Sequence, residues 1–276
     1  MTQPRILCFG SHHKTGTIWM RGVSKAIRDD QNIPFLLCYR AERLADIVPE
    51  GPQIIVNWNS SFPQELFDME EARFLHIIRD PRDVLLSGMR YHRIAPLARE
   101  KFLRIPRPKW GGMNYQDKLN SLDNDHERLI FEMENRHHRT LQEMLDWPYD
   151  HPNVVDLRYE DLISDEDCVI FRAAMERMGV AGIDVDRAVK SFWDKSLFGG
   201  LKKEEDRTDR VALHVTSGTG SKKQWQNALP RSIAKIYAER YSDALAKLGY
   251  AEDDSWVDLC PEDEALAEAQ EDVGAK

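Results

Sequence analysis

The stretch GSHHKTGTIWM, residues 10 to 20, combines small, basic and hydroxylated side chains in a way that suits an anion-binding loop. It follows an apolar run, and a helical pattern begins near Thr17. A tight loop between a strand and a helix turns several backbone N–H groups toward one point, where they attract an anion. Gly16 lets the backbone approach a ligand closely, and Lys14 adds a positive charge. Thr15 and Thr17 offer hydroxyl donors, so we predict an anion site here.

A second polar group follows another apolar run, in FLHIIRDPRDVLLS from residue 74 to residue 87. Asp80 and Pro81 favour a helix that starts directly after this run. Arg79 stands at the end of the run, and Ser87 lies on the helix. A guanidinium fork and a hydroxyl both donate hydrogen bonds to phosphate oxygens. We therefore predict a second anion site, although Arg79 could equally be the buried partner of an acid.

The first loop is not the Walker A motif of nucleotide kinases, in which glycine, lysine and a hydroxyl residue follow one another directly. Lys14 stands two positions before Gly16, and the sequence contains no Gly-Lys-Thr. This disfavours a P-loop kinase that uses ATP, and it leaves a helix cap with a solvated lysine as the alternative for the loop alone. Trp19, one turn into the helix, could cover a flat ring. Together the two sites indicate a ligand with two separate anionic groups.

Five short apolar runs alternate with helical patterns along the chain. Continuous apolar runs are typical of parallel strands that are covered on both faces. The predicted strands are residues 5–9, 35–39, 53–57, 74–78 and 153–157, and the clearest helices are residues 124–147, 164–178 and 231–248. This alternation predicts an α/β fold, a three-layer α/β/α sandwich with a mainly parallel central sheet. Ligands bind at the carboxyl ends of the strands in such sheets, which is where both candidate sites lie.

Four segments resemble those of the PAPS-dependent sulfotransferases, where PAPS is 3′-phosphoadenosine 5′-phosphosulfate. GSHHKTGTIWM resembles the family's 5′-phosphosulfate loop, and IIRDPRDVLLSGMRYH, residues 77–92, resembles its 3′-phosphate site. VVDLRYEDL, residues 154–162, is similar to the family's Tyr-Glu-Asp segment. SGTGSKKQWQNALP, residues 217–230, resembles a degraded form of the late loop that closes over the nucleotide. The segments occur in the family's order, and the resemblance implies a P-loop NTPase-like fold.

The resemblance also implies which residues bind the donor. Lys14 and the backbone amides from Thr15 to Ile18 would hold the 5′-phosphosulfate, and Trp19 would pack on the adenine. The full set of implied donor-binding residues is Lys14, Thr15, Gly16, Thr17, Ile18, Trp19, Arg79, Ser87, Tyr159, Lys222, Lys223 and Trp225. Arg79 and Ser87 would take the 3′-phosphate, and Tyr159 would lie near the adenine edge.

The late loop departs from the family's pattern. Its usual Arg-Lys-Gly positions are occupied here by Gly218, Thr219 and Gly220. Lys222 and Lys223 stand at other positions of this loop. They either supply the missing positive charge from there or form a solvated basic turn.

The catalytic residues follow from the chemistry that the resemblance implies. Lys14 would stabilise the charge that builds on the departing phosphate. A general base is expected for the acceptor hydroxyl, but the family's Thr-His-Leu-Pro-like segment reads VNWNSSFP here, at residues 56–63. His13 and His92 are the two candidates for this base. No metal is expected, since a sulfuryl group carries less charge than a phosphoryl group, and His126, His137 and His138 are interpreted as solvated.

The sequence predicts a single sulfotransferase domain over residues 1–250, with residues 93–123 as a possible lid on the acceptor side. Residues 251–276 contain ten acidic side chains and one basic side chain, so this tail accounts for the net charge of −9 and is expected to be solvated. An acidic tail on a neutral body argues against nucleic-acid binding. No apolar run is long enough for a membrane helix. The four widely spaced cysteines are typical of a reduced, cytoplasmic protein.

The predicted reaction is sulfuryl transfer from PAPS to the hydroxyl or amine of a small-molecule or glycan acceptor. The sequence leaves two alternatives, a P-loop kinase and a non-catalytic nucleotide-binding protein of the same fold. It does not specify the acceptor or the oligomeric state.

Overall fold

The structure is a computed structural model, and it describes residues 2–216 and 220–265. The chain forms two compact units, each built from two stretches. The sheet unit comprises Met1–Arg79 and Asp146–Ala212, and the helical unit comprises Asp80–Leu145 and Leu213–Lys276. The second candidate segment, residues 74–87, therefore contains the first passage of the chain from one unit to the other, between Arg79 and Asp80.

The sheet unit contains a five-stranded sheet whose strand order is β2-β3-β1-β4-β5. The strands are β1 (Ile6–Ser11), β2 (Phe35–Leu37), β3 (Gln53–Asn57), β4 (Ala72–Ile78) and β5 (Val154–Arg158). All four strand pairs are parallel, which confirms the predicted mainly parallel sheet. β1 ends later than predicted because Ser11 still pairs with Ile77 of β4. The anion loop is therefore shorter and starts after Ser11.

Twelve α-helices have both ends in the described ranges 2–216 and 220–265. In chain order they are α1 (Thr17–Gln31), α2 (Gln64–Phe67), α3 (Pro81–Ile94), α4 (Tyr115–Asn120), α5 (Asp125–Glu132), α6 (His138–Leu145), α7 (Tyr159–Leu162), α8 (Val169–Met178), α9 (Val185–Asp194), α10 (Asp209–Thr216), α11 (Trp225–Ala228) and α12 (Arg231–Lys247). A π-helical turn, Met133–His137, joins α5 to α6, so the predicted helix over residues 124–147 is nearly continuous. Short 3₁₀ turns cover Ala41–Asp46, Lys101–Arg104, Pro108–Trp110, Glu204–Asp206 and Asp254–Leu259.

Each face of the sheet buries its own apolar layer, because successive strand residues point to opposite sides. Leu7 and Phe9 pack with residues of α1, α8 and α9 on one face. Ile6 and Cys8 pack on the other face with Leu66 and Phe67 of α2. Helices therefore flank a parallel sheet, as the sequence predicts for an α/β fold.

The predicted helix over residues 164–178 starts five residues later than expected. Both carboxylate oxygens of Asp165 accept hydrogen bonds from backbone amides, Oδ1 from Ile170 and Oδ2 from Phe171. Asp165 therefore satisfies backbone amides of the first turn of α8 from outside the helix.

The acidic tail is only partly what the sequence predicts. Trp256, Val257 and Cys260 are buried in the apolar core of the helical unit. The expectation of a solvated end is therefore wrong for the segment up to Cys260, because its apolar residues pack against the fold. Residues 266–276 lie outside the described residues. Among the described helices, none is long and apolar enough to cross a membrane.

Candidate functional site

The loop between β1 and α1 is held by its own hydroxyl groups. The backbone carbonyl of His12 accepts hydrogen bonds from Thr15 Oγ1 at 3.0 Å and from Thr17 Oγ1 at 2.6 Å. Thr15 Oγ1 also lies 3.2 Å from the carbonyl of Ile77 on β4 and accepts from the His12 amide at 2.8 Å. The two hydroxyls thus shape the loop, and the Thr15 amide, one of the predicted anion donors, donates to the same His12 carbonyl at 3.2 Å.

The N-terminus of α1 faces the end of this loop. Gly16 is the N-cap, with a φ of 100°, and it has no side chain that could cap the helix. The first-turn amides of an α-helix have no partner within the helix and carry a partial positive charge. The first turn, Thr17 to Met20, contains no acidic residue. These features fit a site for an anion.

Gly16 is required by its backbone angle and by its neighbour Tyr159. A Cβ added at Gly16 would lie 3.0 Å from Tyr159 Cδ2 and 3.3 Å from Tyr159 Cε2. The ring of Tyr159 is buried and belongs to α7, directly after β5. The close approach of helix α1 to this ring therefore depends on glycine.

Arg79 brings the second candidate segment to the first. Its Nη1 donates to the backbone carbonyl of Lys14 at 3.2 Å, and its guanidinium lies 4.5 Å from the centre of the Tyr159 ring. Arg79 is 1% exposed and Lys14 is 6% exposed. Two cationic side chains are thus buried in one cluster of the sheet unit, where the low dielectric strengthens their attraction for an anion.

Trp19 lies on α1 beside this cluster and is partly buried. Its ring stacks on Phe192 of α9 at 4.8 Å between ring centres, and it meets Tyr159 edge to face at 6.5 Å. Phe198 packs against it at 6.1 Å. Trp19 is thus held among aromatic side chains of the sheet unit, and its packing on an adenine stays a prediction.

In the helical unit, α3 begins as the sequence predicts. The Asp80 side chain caps the helix by accepting from the Arg82 amide at 3.0 Å, and Pro81 is the first helical residue. Arg82 also donates from Nε and Nη2 to both carboxylate oxygens of Asp80, at 2.9 and 2.7 Å. Ser87 is fully buried on α3. This helix start is therefore rigid.

The late loop is anchored to this helix start through Trp225. Trp225 Nε1 donates to Asp80 Oδ2 at 3.0 Å, and its backbone amide donates to Asp83 Oδ1 at 3.0 Å. The Arg82 guanidinium lies 3.9 Å from the centre of the Trp225 ring. Trp225 is thus a buried anchor of the late loop. Lys222 and Lys223 are exposed, and Gly218 and Thr219 lie outside the described residues.

The two candidate bases have different surroundings. His13 is half-buried in the anion loop of the sheet unit. His92 is fully buried in the helical unit, where its Nδ1 lies 2.8 Å from Glu132 Oε2. Tyr115 donates to the same carboxylate oxygen at 2.8 Å. Three aromatic residues of the helical unit enclose the His92 ring, namely Tyr91, Phe102 and Tyr115.

The Glu132 carboxylate holds this cluster together electrostatically. Burial favours the neutral acid, but the charge of His92 and the hydrogen bonds from His92 and Tyr115 outweigh it and lower the pKa of Glu132 below its ordinary value. Burial, followed by the charge of Glu132, raises the pKa of Tyr115 well above its ordinary value. Glu132 is therefore an ionised residue that sequence reasoning missed.

One of the three histidines predicted to be solvated is not. His137 is 2% exposed, and its Nε2 lies 2.9 Å from the hydroxyl of Tyr237 on α12. Burial lowers the pKa of His137 to about 4. The prediction fails because the π-helical turn shifts the helix register and points His137 inward, while His138 remains exposed.

The segment predicted as a lid, residues 93–123, is partly built into the helical unit. Leu103, Tyr115 and Leu119 are buried in its apolar core, and Trp110 packs against them. Its basic residues Lys101, Arg104, Arg107 and Lys109 are exposed. The segment therefore has an apolar anchor and a basic outer side.

Sequence reasoning also missed a polar row formed by His12, His76 and Asp156 in the sheet unit. His76 lies opposite Asp156 in the β4–β5 register, and Gly10 lies opposite His76 in the β1–β4 register. Polar residues in otherwise apolar parallel strands were the available signal. Across residues 2–216 and 220–265, no group of three or more His, Cys, Asp or Glu side chains is placed to hold a metal ion.

Comparison with known proteins gives one family and a group of similar structures. The sulfotransferase domain family matches residues 10–249, which include both candidate segments and most of each unit. No functionally curated protein matches the chain in sequence. Mouse sulfotransferase SULT7A1 complexed with PAP is similar in structure, with a TM-score of 0.56 and 15% identity over 89% of this chain and 84% of that chain.

Two structures of retinol dehydratase are similar as well. The complex with androsterone and the inactive cofactor PAP has a TM-score of 0.53 and 15% identity over 89% of this chain and 82% of that one. The complex with retinol and PAP has a TM-score of 0.53 and 16% identity over the same shares, 89% and 82%. At this identity the likeness supports the fold alone.

Proposed function

Because the chain belongs to the sulfotransferase family, and is on that ground a sulfotransferase, we propose that PAPS is its donor and that each predicted site residue serves this reaction. The acceptor is the hydroxyl or amine of a small molecule or glycan. The product of the donor is PAP, adenosine 3′,5′-bisphosphate, which is the ligand named for the similar sulfotransferase and retinol dehydratase structures.

The observation that carries this proposal is the cluster of Lys14, Arg79, Gly16 and Tyr159. Two buried cations lie beside a helix N-terminus that has no capping side chain. A donor with phosphate groups at both ends of an adenosine suits such a cluster, since it offers separate anions to separate positive groups. The backbone of the loop fits as well, because glycine at position 16 keeps open the space that a Cβ would fill.

In the proposed reaction, the acceptor oxygen or nitrogen forms a bond to sulfur while the bond from sulfur to the bridging phosphate oxygen breaks. Negative charge then builds on the 5′-phosphate. Lys14 and the amides from Thr15 to Ile18 stabilise that charge as preorganised donors, and most of the rate enhancement comes from this stabilisation and from positioning. Thr15 and Thr17 hold the loop in shape for this task.

Arg79 and Ser87 take the 3′-phosphate, Trp19 packs on the adenine and Tyr159 lies near its edge. Lys222 and Lys223 supply positive charge from the late loop, which Trp225 anchors to the start of α3. The buried position of Trp225 supports an anchoring role for it. We assign the direct contacts with the donor to the exposed Lys222 and Lys223. The basic outer side of residues 93–123 is where we place the acceptor-side lid.

The acceptor proton is taken by His13 or by His92. His13 adjoins Lys14 in the loop, which supports a role near the transferring group. His92 has a carboxylate partner in Glu132, which fixes the orientation of its ring.

We also propose that the reaction needs no metal, since Lys14 supplies positive charge and the sulfuryl group carries little negative charge. Four buried free thiols support a reducing, cytoplasmic location.

The experiment is to incubate the purified protein with ³⁵S-labelled PAPS and pools of alcohols, phenols, amines and glycans. Label that moves to one pool, with an equal amount of PAP formed, supports the proposal. An absence of both label transfer and PAP formation in every pool would contradict it. ATP labelled in its γ-phosphate, tested in the same pools, distinguishes a kinase.

A further inference from the structure

A row of three polar side chains crosses the sheet unit from β5 to the anion loop. His76 Nδ1 on β4 lies 2.7 Å from Asp156 Oδ1 on β5. His76 Nε2 lies 2.8 Å from His12 Nε2, at the start of the loop. Trp147 Nε1 donates to Asp156 Oδ1 at 2.9 Å. The row therefore connects the carboxylate of Asp156 to the ring of His12 by two short hydrogen bonds.

The two rings of the row are shielded from solvent, while the carboxylate is not. His12 and His76 are both 0% exposed, and the Asp156 side chain is 27% exposed. The His76 ring also stacks on Trp147, with ring centres 4.0 Å apart and planes 20° apart. Protons can thus reach the row from solvent at Asp156, and the orientation of His76 is fixed.

The inner end of the row is part of the anion loop itself. The His12 carbonyl accepts from Thr15 and Thr17, and its amide donates to Thr15 Oγ1. Covalent geometry places Nδ1 of the His12 ring on the side nearer its own backbone, since Nε2 faces His76. A change of protonation at His12 Nδ1 therefore alters the electrostatics of the loop.

The hydrogen bonds of the row can run in two directions, from His12 toward Asp156 or from Asp156 toward His12, because one proton lies between the two Nε2 atoms. With Asp156 ionised, His76 donates from Nδ1 to Asp156, and His12 donates from Nε2 to His76. Adding one proton at His12 Nδ1 reverses the row. The Nε2 proton of His12 moves to His76 Nε2, and the Nδ1 proton of His76 moves to Asp156 Oδ1. Three bonds to hydrogen form, two break, and one proton is gained.

We propose that Asp156 and His76 are positioning residues for the donor, because their row couples anion binding at the loop to uptake of one proton. An anion near His12 favours the state in which Nδ1 of His12 carries a proton. In that state Asp156 is neutral. By linkage, a proton on Asp156 strengthens anion binding by the same factor. This inference rests on the proposed function, since the anion is the 5′-phosphosulfate of PAPS or the 5′-phosphate of PAP.

The surroundings of the two titrating partners support this coupling. Burial raises the pKa of Asp156 to about 6, against the hydrogen bond from Trp147 and the charge of Arg177 on α8, which lower it. Burial, followed by the charge of Asp156, raises the pKa of Tyr149 above its ordinary value. Burial keeps the pKa of His76 well below its ordinary value, so its ring stays neutral in both directions. Asp156 is therefore poised to gain a proton near neutral pH.

The test counts the protons taken up when PAP binds, by calorimetry in buffers of different ionisation enthalpy at about pH 6.5. We compare the wild type with Asp156→Asn, which keeps an oxygen acceptor for His76 and Trp147 but cannot ionise. Asp167→Asn is the matched control, because it removes a carboxylate from an exposed position of the same unit. The phosphates of PAP titrate equally with all three proteins.

We expect the wild type and Asp167→Asn to take up at least ~0.3 proton more per PAP than Asp156→Asn. Equal proton numbers for all three proteins would overturn the inference. Should Asp156→Asn fail to fold, histidine ¹⁵N spectra of the wild type serve instead. PAP should then protonate His12 Nδ1 and shift the His76 proton from Nδ1 to Nε2, and unchanged tautomers would overturn the inference. Failure of PAP to bind the wild type at all would contradict the proposed function instead.

Discussion

The side chain of Arg79 donates to the backbone carbonyl of Lys14 at 3.2 Å, although the two residues are 65 positions apart in sequence. Arg79 directly follows β4 and Lys14 lies in the loop after β1, and these strands are neighbours in the sheet. The contact therefore follows from the parallel order of the strands. It holds the Arg79 guanidinium against the backbone of the loop that carries Lys14.

The first prediction concerns the charge of Lys14. Lys14→Ala should lower the rate of PAPS turnover by about 100-fold or more, because it removes one preorganised donor from the departing phosphate. Initial rates of PAP release with the acceptor pool that gives activity measure this. Lys25→Ala, which removes an exposed lysine of α1, is the control and should keep the wild-type rate. An unchanged rate for Lys14→Ala would remove this residue from the chemistry.

The second prediction concerns the shape of the Arg79 side chain. Arg79→Lys keeps the charge but loses the planar fork, so the Kd for PAP should rise by about tenfold. Calorimetric titration measures this. Arg73→Lys is the control, since Arg73 also donates to backbone carbonyls, those of Glu70 and Ala72, from the beginning of β4. Equal affinities of both variants for PAP would contradict a direct role for Arg79.

The third prediction separates backbone strain from the space beside Tyr159. Gly16 and Gly51 both have positive φ angles, 100° and 77°, but only an added Cβ at Gly16 meets another group within 4 Å. Alanine at either position should cost about 1 kcal/mol of stability from backbone strain. Only Gly16→Ala should also weaken PAP binding, because α1 has to move away from the ring. Denaturant unfolding and calorimetry distinguish the two effects, and similar PAP affinities for both variants would contradict this account.

The fourth prediction concerns the stability of the helical unit below neutral pH. The pKa of His137 is about 4 in the folded protein, because the ring is buried, and about 6.5 in an unfolded chain. Between about pH 4 and pH 6.5, the unfolded chain therefore binds more protons than the folded protein does. The stability due to neutral His137 is present above about pH 6.5 and is lost as the pH falls toward 4, by about 1.4 kcal/mol per pH unit.

His137→Gln should remove this dependence while keeping a hydrogen-bonding partner for Tyr237. Between about pH 7.5 and pH 5.5, the wild type should lose about 1.4 kcal/mol more of unfolding free energy than this variant. Urea unfolding at the two pH values measures this. His138→Gln, at the exposed neighbouring position, should behave like the wild type. If His137→Gln lost as much stability as the wild type, the buried neutral state would be wrong.

The strands and the two segments at their ends could be predicted from sequence, because apolar β-branched runs and helix-start residues act locally. The parallel order of the strands then brings Lys14 and Arg79 together. The environment of His92 could not be predicted in the same way. Its burial depends on Tyr115 and Glu132, which are distant in sequence, and on the packing of residues 93–123 in the helical unit.

The inward turn of His137 depends on a π-helical register shift, which a regular helical pattern does not reveal. The polar row of His12, His76 and Asp156 is a further case. Each residue looks ordinary in its own segment, and only the register of three neighbouring strands shows that their side chains meet.

The donor site is tested most directly by calorimetric titration of the wild-type protein with PAP and with adenosine 5′-phosphate, which lacks only the 3′-phosphate. We predict that PAP binds at least tenfold more tightly, a difference of about 1.4 kcal/mol, since Arg79 and its neighbours pair with the additional anion. Equal affinities for the two nucleotides, or no binding of either, would contradict a site that holds PAPS at both ends.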